Sequence, residues 1–206
     1  LRLSLTTKVR PGRVDKEVSL RDGENTLYCR HVISGMSGPM SLGHHAMLKF
    51  PDRPGSGRIS TSRIVHAQVL PRPFELPEKR GYCCLQPGAT FESLESVPTV
   101  TGEAADLTRY PARRGYDDLV MLVSDPDLPF AWTAVTFPAE RYVWFAVKNP
   151  RILHNTVLWI SNGGRHYPPW NSRHLNVMGL EEVTAYFHLG LADSARFLGF
   201  RTDVAA

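Results

Sequence analysis

Three pairs of adjacent ionisable residues stand where a strand could hold them: His44-His45 in SLGHHAMLKF, Asp117-Asp118 in RRGYDDLVMLV and Glu181-Glu182 in NVMGLEEVTAYF. Imidazole and carboxylate groups move protons, and an apolar setting tunes how readily they do so. Neighbouring side chains on a strand point to opposite faces, so His44 and His45 cannot easily chelate one metal together. One of them would face a cleft while the other packs or meets solvent. A histidine on an apolar strand is most often structural, and a catalytic role is the alternative. Asp117 and Asp118 lie at the mouth of an apolar strand. There they would accept backbone hydrogen bonds in a turn, or accept hydrogen bonds from a ligand's hydroxyls. Glu181 shares a face with Val177, Val183 and Phe187, and Glu182 shares the other with Met178, Leu180 and Tyr186. Both faces are apolar, so at least one carboxylate should sit in partly dry surroundings. Desolvation raises its pKa and makes it a better proton acceptor. A salt bridge to a nearby arginine is the structural alternative.

Just before the glutamates, the apolar strand VLWIS enters a loop crowded with Arg165, His166, Tyr167, Trp170, Arg173 and His174. Aromatic rings stack on the apolar C–H faces of sugars, and arginine donates to their oxygens. A sugar is the ligand these side chains suit best; an interaction surface or a proline-braced structural loop is the competing reading. No dinucleotide fingerprint, phosphate-binding P-loop, GxSxG or HExxH is present, and the His-x-His spacing of a cupin metal site is missing. Dinucleotide enzymes, kinases and the usual serine hydrolases are therefore disfavoured.

The elements that must position these groups read mostly as strands. LRLSLTTKV, RVDKEVSL and NTLYCRHVIS alternate apolar and polar residues and are separated by turn signals. SLGHHAMLKF and RISTSRIVHAQVL follow. Prolines then punctuate residues 71–115, a long segment of weak periodicity of the kind that is usually functional or mobile. DDLVMLVS, FAWTAVTF and RYVWFAV suggest an antiparallel meander, VLWIS and NVMGLEEVTAYF are the last clear strands, and LADSARFLG suggests a short helix. Many short strands joined by Gly/Pro turns predict an all-β sandwich or barrel. With 206 residues and no repeat or linker, the pattern predicts a single domain over 1–206.

The net charge of +4 comes from scattered Lys and Arg with no basic run, so nucleic-acid binding is not expected. No apolar stretch is long enough to span a membrane. Cys29, Cys83 and Cys84 form neither a disulfide framework nor a zinc site, which makes a reducing cytoplasm the default expectation.

Taken in order, HHAMLKF, GYDDLVML and GLEEV resemble the catalytic-histidine, sugar-binding-aspartate and catalytic-glutamate strands of the galactose mutarotase-like (aldose 1-epimerase) superfamily. The WISNGGRHYPPWNSRH segment looks more like that superfamily's uncharacterised bacterial-type members. His44 stands where the family usually has Asn, and Met47-Leu48 stand for its Tyr-Phe pair. The resemblance implies a large antiparallel β-sandwich, called a supersandwich. It would here lack its N-terminal part, with the family's arginine and second histidine, and its closing strands. It implies an aldose 1-epimerase acting on a free hexose or hexose phosphate without metal or organic cofactor. His45 and Glu181 would be the acid and base, with His44 and Asp117 binding the sugar. Arg165 and Trp170 are added as donor and stacking contacts. The partner expected is a small-molecule carbohydrate, with self-association into a homodimer left open. A non-catalytic carbohydrate-binding protein, or a polysaccharide lyase or hydrolase on the same sandwich, are the alternatives, because fold does not fix function.

Overall fold

In the computed structural model, residues 1–197 and 203–204 are described. The strands in chain order are β1 (Arg2–Thr6), β2 (Arg13–Ser19), β3 (Tyr28–Ser34), β4 (Gly38–Pro39), β5 (Gly43–Lys49), β6 (Gly57–Thr61), β7 (Ile64–Val69), β8 (Val97–Pro98), β9 (Ala104–Ala105) and β10 (Arg109–Tyr110). They continue as β11 (Asp117–Ser124), β12 (Ala131–Phe137), β13 (Tyr142–Lys148), β14 (Asn155–Ser161) and β15 (Val177–Val183). Helix α1 (Leu191–Arg196) and β16 (Asp203–Val204) follow. Among the described residues, all the strand pairings are antiparallel. The fold is all-β, as the alternation and turn chemistry predict. The expected helix is confirmed over α1, and its last residues lie outside those described.

Contacts group the chain into two compact units, Leu1–Met40 with Arg201–Ala206, and Ser41–Phe200. The first holds the three-stranded sheet β1-β2-β3 and the β4-β16 pair. On one face of that sheet Asp15 is clamped by Arg2, Arg13 and Ser4. Leu3, Leu5 and Ile33 remain exposed.

The second unit is sandwich-like. A five-stranded sheet, β5-β15-β14-β11-β7, and a four-stranded sheet, β10-β6-β12-β13, share one apolar core. From the first sheet come Val120, Leu122, Leu158, Ile160, Met178 and Leu180; from the second come Ile59, Tyr110, Val135 and Phe137. Each such side chain, fully buried, contributes about 1.5–3 kcal/mol. Lys148 and Glu182 form an ion pair at 2.5 Å inside this unit, with side chains 1% and 4% exposed.

Two sequence expectations are corrected by this topology. β11 does not join β12 and β13 in a meander; it lies between β7 and β14 in the other sheet. All eight of its residues are buried, because both of its faces are covered and period two therefore carries no inside-outside signal. RISTSRIVHAQVL is not continuous either: it breaks between β6 and β7 and crosses from one sheet to the other.

The five-stranded sheet also has a second covered face. There Leu119, Met121, Val123, Val157 and Val183 meet Leu70 and Phe187, with Phe74, Trp159 and Tyr186 packed around them. The segment read as irregular between 71 and 115 is tied to this sheet. Asp118 accepts the backbone N–H groups of Cys84 and Leu85 at 3.1 and 3.0 Å. Burial pushes the Cys84 thiol up, and the neighbouring Asp118 carboxylate adds to the effect.

Candidate functional site

Strand alternation decides which polar groups meet. Glu181 on β15 is directly opposite His45 on β5, and Val157 on β14 is directly opposite Glu181. One step along the sheet, Gly179 lies opposite Trp159 and Met47; one step further, Val177 lies opposite Ser161 and Lys49. Ser161 is in turn opposite Asp117 on β11. Glu181, His45, Trp159, Ser161 and Asp117 therefore share the outer face of the five-stranded sheet.

Gly179 allows the close approach at its centre. A Cβ placed there would lie 2.9 Å from Glu181 Oε1, 3.2 Å from Trp159 Cβ and 3.3 Å from His45 Cε1. His45 Nε2 is 3.2 Å from Glu181 Oε1, and its ring meets Trp159 edge-on with centroids 5.9 Å apart. Burial raises the proton affinity of Glu181, partly offset by His45.

The loop after β14 supplies the wall. Trp170 contacts Trp159 at 6.2 Å and His174 at 5.3 Å, and His174 contacts Trp159 at 5.6 Å between ring centroids. The Arg165 guanidinium lies over Phe74, Trp159 and Trp170, with its carbon 4.8, 5.1 and 4.7 Å from the ring centroids. Its Nε donates to Glu75 Oε1 at 2.6 Å and stands 3.9 Å from Asp117 Oδ1. Tyr167 also donates to Glu75. Cation–π contact and ion pairing hold the same planar group from two sides. Beside it, Pro73, Phe74, Glu75, Leu76, Lys79 and Tyr167 line a cleft of about 500 Å³. A second hollow of about 580 Å³ runs along β6 between exposed Arg58, Glu92, Glu95 and Arg109. Its charged lining side chains carry both signs.

Asp117 is 1% exposed. Its Oδ1 accepts from Ser161 Oγ at 2.6 Å and its Oδ2 from the Gly164 N–H at 2.6 Å. Burial pushes its carboxyl up to about 6, against the opposing pull of Ser161, Arg165 and Gly164. Ser161 Oγ is also 2.7 Å from His174 Nδ1. Burial lowers the His174 pKa, helped by Arg165 and Lys49. Trp159 Nε1 is buried and has no hydrogen-bond partner, leaving an unpaired donor at the floor of the site.

Of the six residues singled out from the sequence, His45, Glu181, Asp117, Arg165 and Trp170 belong to this one face. His44 does not. It stands opposite Glu182 in the register, on the core side with Leu48, because alternation turns it away from His45. Asp117 belongs to the site but holds protein donors on both oxygens, so it supports its neighbours rather than receiving ligand hydroxyls directly. Sequence reasoning missed Glu75, Phe74, Trp159, Ser161 and Gly179. Glu75 and Phe74 lie in the segment without periodicity, and Trp159 and Ser161 read as ordinary strand residues. The glycine inside the β15 pattern was the one available signal, since an isolated strand glycine marks close approach. Among the described residues, no three His, Cys, Asp or Glu side chains converge as a metal site would require, and no helix is long and apolar enough to cross a membrane. Comparison with protein-family models, with characterised proteins and with solved structures finds no match to this chain.

Proposed function

We propose that the outer face of the five-stranded sheet binds a carbohydrate. The observation that carries this reading is the contiguous group of Trp159, Trp170 and His174 rings, with Arg165 laid over both tryptophans and the Glu181–His45 pair against Trp159. Ring faces take the apolar side of a pyranose, while Arg, His and carboxylate groups meet its hydroxyls. Arg165 contributes through its outer nitrogens, since Nε is committed to Glu75.

The Glu181–His45 contact favours a second reading on the same face, an aldose 1-epimerase. Glu181 takes the proton from the C1 hydroxyl while His45 protonates the ring oxygen. The bond from C1 to the ring oxygen breaks, the C1–C2 bond of the open aldehyde rotates, and reclosure reverses both proton transfers. A hydrolase built on two opposed carboxylates gains no support, because Asp117 is enclosed by Ser161 and Gly164.

Tryptophan fluorescence and calorimetry with free hexoses, hexose 6-phosphates and oligosaccharides test the binding. Saturation-transfer NMR between anomers tests the exchange. Binding without faster exchange supports recognition alone, and faster exchange that Glu181→Gln abolishes supports the epimerase. If no sugar binds at millimolar concentration, both readings fail.

A further inference from the structure

We propose that Asp117, Ser161 and His174 form a hydrogen-bond relay that holds His174 as its Nδ1–H tautomer and makes its Nε2 the proton acceptor offered to the site's ligand. The carbohydrate reading supplies only the identity of that ligand; the relay stands on geometry.

Ser161 has one hydroxyl proton and two polar neighbours, Asp117 Oδ1 at 2.6 Å and His174 Nδ1 at 2.7 Å. An ionised carboxylate only accepts, so the hydroxyl proton goes to Asp117. The serine oxygen must then accept from His174, and Nδ1 carries the imidazole proton. Nε2 is left as a lone pair, and among the described residues it has no hydrogen-bond partner. The ring is only half-buried and lies against Trp159 and Trp170, so this lone pair belongs to the aromatic wall. Fixing a tautomer through the other ring nitrogen is the standard means of orienting a functional histidine.

The relay gives an incoming proton two resting places. If Nε2 takes a hydroxyl proton from a ligand, the imidazolium can stay as it is. Alternatively, Nδ1 passes its proton to Ser161 while Ser161 passes its own to Asp117. That transfer leaves a neutral imidazole with Nε2–H, a serine donating to Nδ1 and a protonated Asp117. In either case one proton entering the relay turns Nε2 from acceptor to donor. The burial that favours a neutral Asp117 and a neutral imidazole lets the proton be shared along the relay. The charged and titratable groups around it are Arg165 and, through it, Glu75 on the loop side, Lys49 and His45 on β5, Glu181 on β15, and the Tyr110 hydroxyl, which donates to the Ser161 carbonyl.

Long-range 1H–15N NMR on the full chain reads the tautomer without any ligand. At pH 7.5 His174 is expected as Nδ1–H, and Ser161→Ala is expected to lose that preference. On lowering the pH, Nε2 is expected to gain its proton. An Nε2–H tautomer at pH 7.5 overturns the relay, and this outcome reads wild type alone, should Ser161→Ala fail to fold. In sugar binding, Ser161→Ala is expected to weaken affinity about tenfold, the scale of one lost hydrogen bond. A correct tautomer with no sugar bound leaves the relay standing and removes the carbohydrate reading. Sugar binding with the wrong tautomer does the reverse.

Discussion

Replacing Arg165 separates a residue that merely lines a cleft from one that holds it together. The guanidinium has side-chain exposure of 11% and faces two carboxylates, Glu75 and Asp117, exposed by 7% and 1%. Arg165→Met keeps most of the apolar stem over Phe74, Trp159 and Trp170 but leaves those carboxylates without their cation. Removing one partner of a buried pair costs about 3–5 kcal/mol. Glu75→Gln keeps the shape and removes a charged acceptor, which costs about 1.5–3 kcal/mol. The double variant should fall short of the sum by at least about 1.5 kcal/mol, since the two residues touch and their effects couple. Urea unfolding followed by tryptophan fluorescence and far-UV circular dichroism measures all four species. With a urea slope of about 1–3 kcal/mol/M, Arg165→Met alone should lower the midpoint by more than about 1 M. Additivity within about 0.5 kcal/mol would show that the two residues do not form one clamp. A loss under about 1 kcal/mol for Arg165→Met would show that the carboxylates are not desolvated as the geometry requires.

Three further outcomes are expected. The Asp117 carboxyl is raised from 3.8 to about 6, so the folded protein binds a proton that the unfolded chain releases between those values. Its contribution to stability is full below pH 4 and falls by about 3 kcal/mol as pH rises through 6; comparing unfolding of wild type and Asp117→Asn from pH 4 to 7 isolates it. Gly179→Ala puts a methyl group against Glu181, Trp159 and His45, costing about 1–3 kcal/mol and, where sugar binds, most of the affinity, both read from fluorescence titration and denaturation. Lys148→Met strands the Glu182 carboxylate in the second unit's interior and should cost about 3–5 kcal/mol, while Lys148→Met with Glu182→Leu should recover most of it; thermal unfolding of both variants checks this.

Much of the site was legible as residue types. His45, Glu181, Arg165 and Trp170 stand out because imidazole, carboxylate and guanidinium groups on apolar strands or in aromatic loops need a reason to be there. Glu181 and Glu182 show how far that reading goes. Alternation places them on opposite faces, and both faces read as apolar. Only the packing shows that Glu182 pairs with Lys148 inside the unit while Glu181 meets His45 on the outer face. Likewise, Asp117 and Asp118 are equivalent in sequence. Asp118 ties down the backbone at Cys84 and Leu85, and Asp117 holds Ser161 and Gly164.

By itself the sequence determined the strand-rich class, most strand positions and the separation of His44 from His45, because these follow from period two and turn chemistry within a few residues. The tertiary structure decided the sheet order, which took β11 out of the expected meander and set it beside β14. That pairing is what brings Ser161 to Asp117, and the loop's return over the same face brings His174 to Ser161. Glu75 reaches Arg165 across 90 residues of chain. No local pattern encodes such partners, because they are chosen by which faces of which strands bury together.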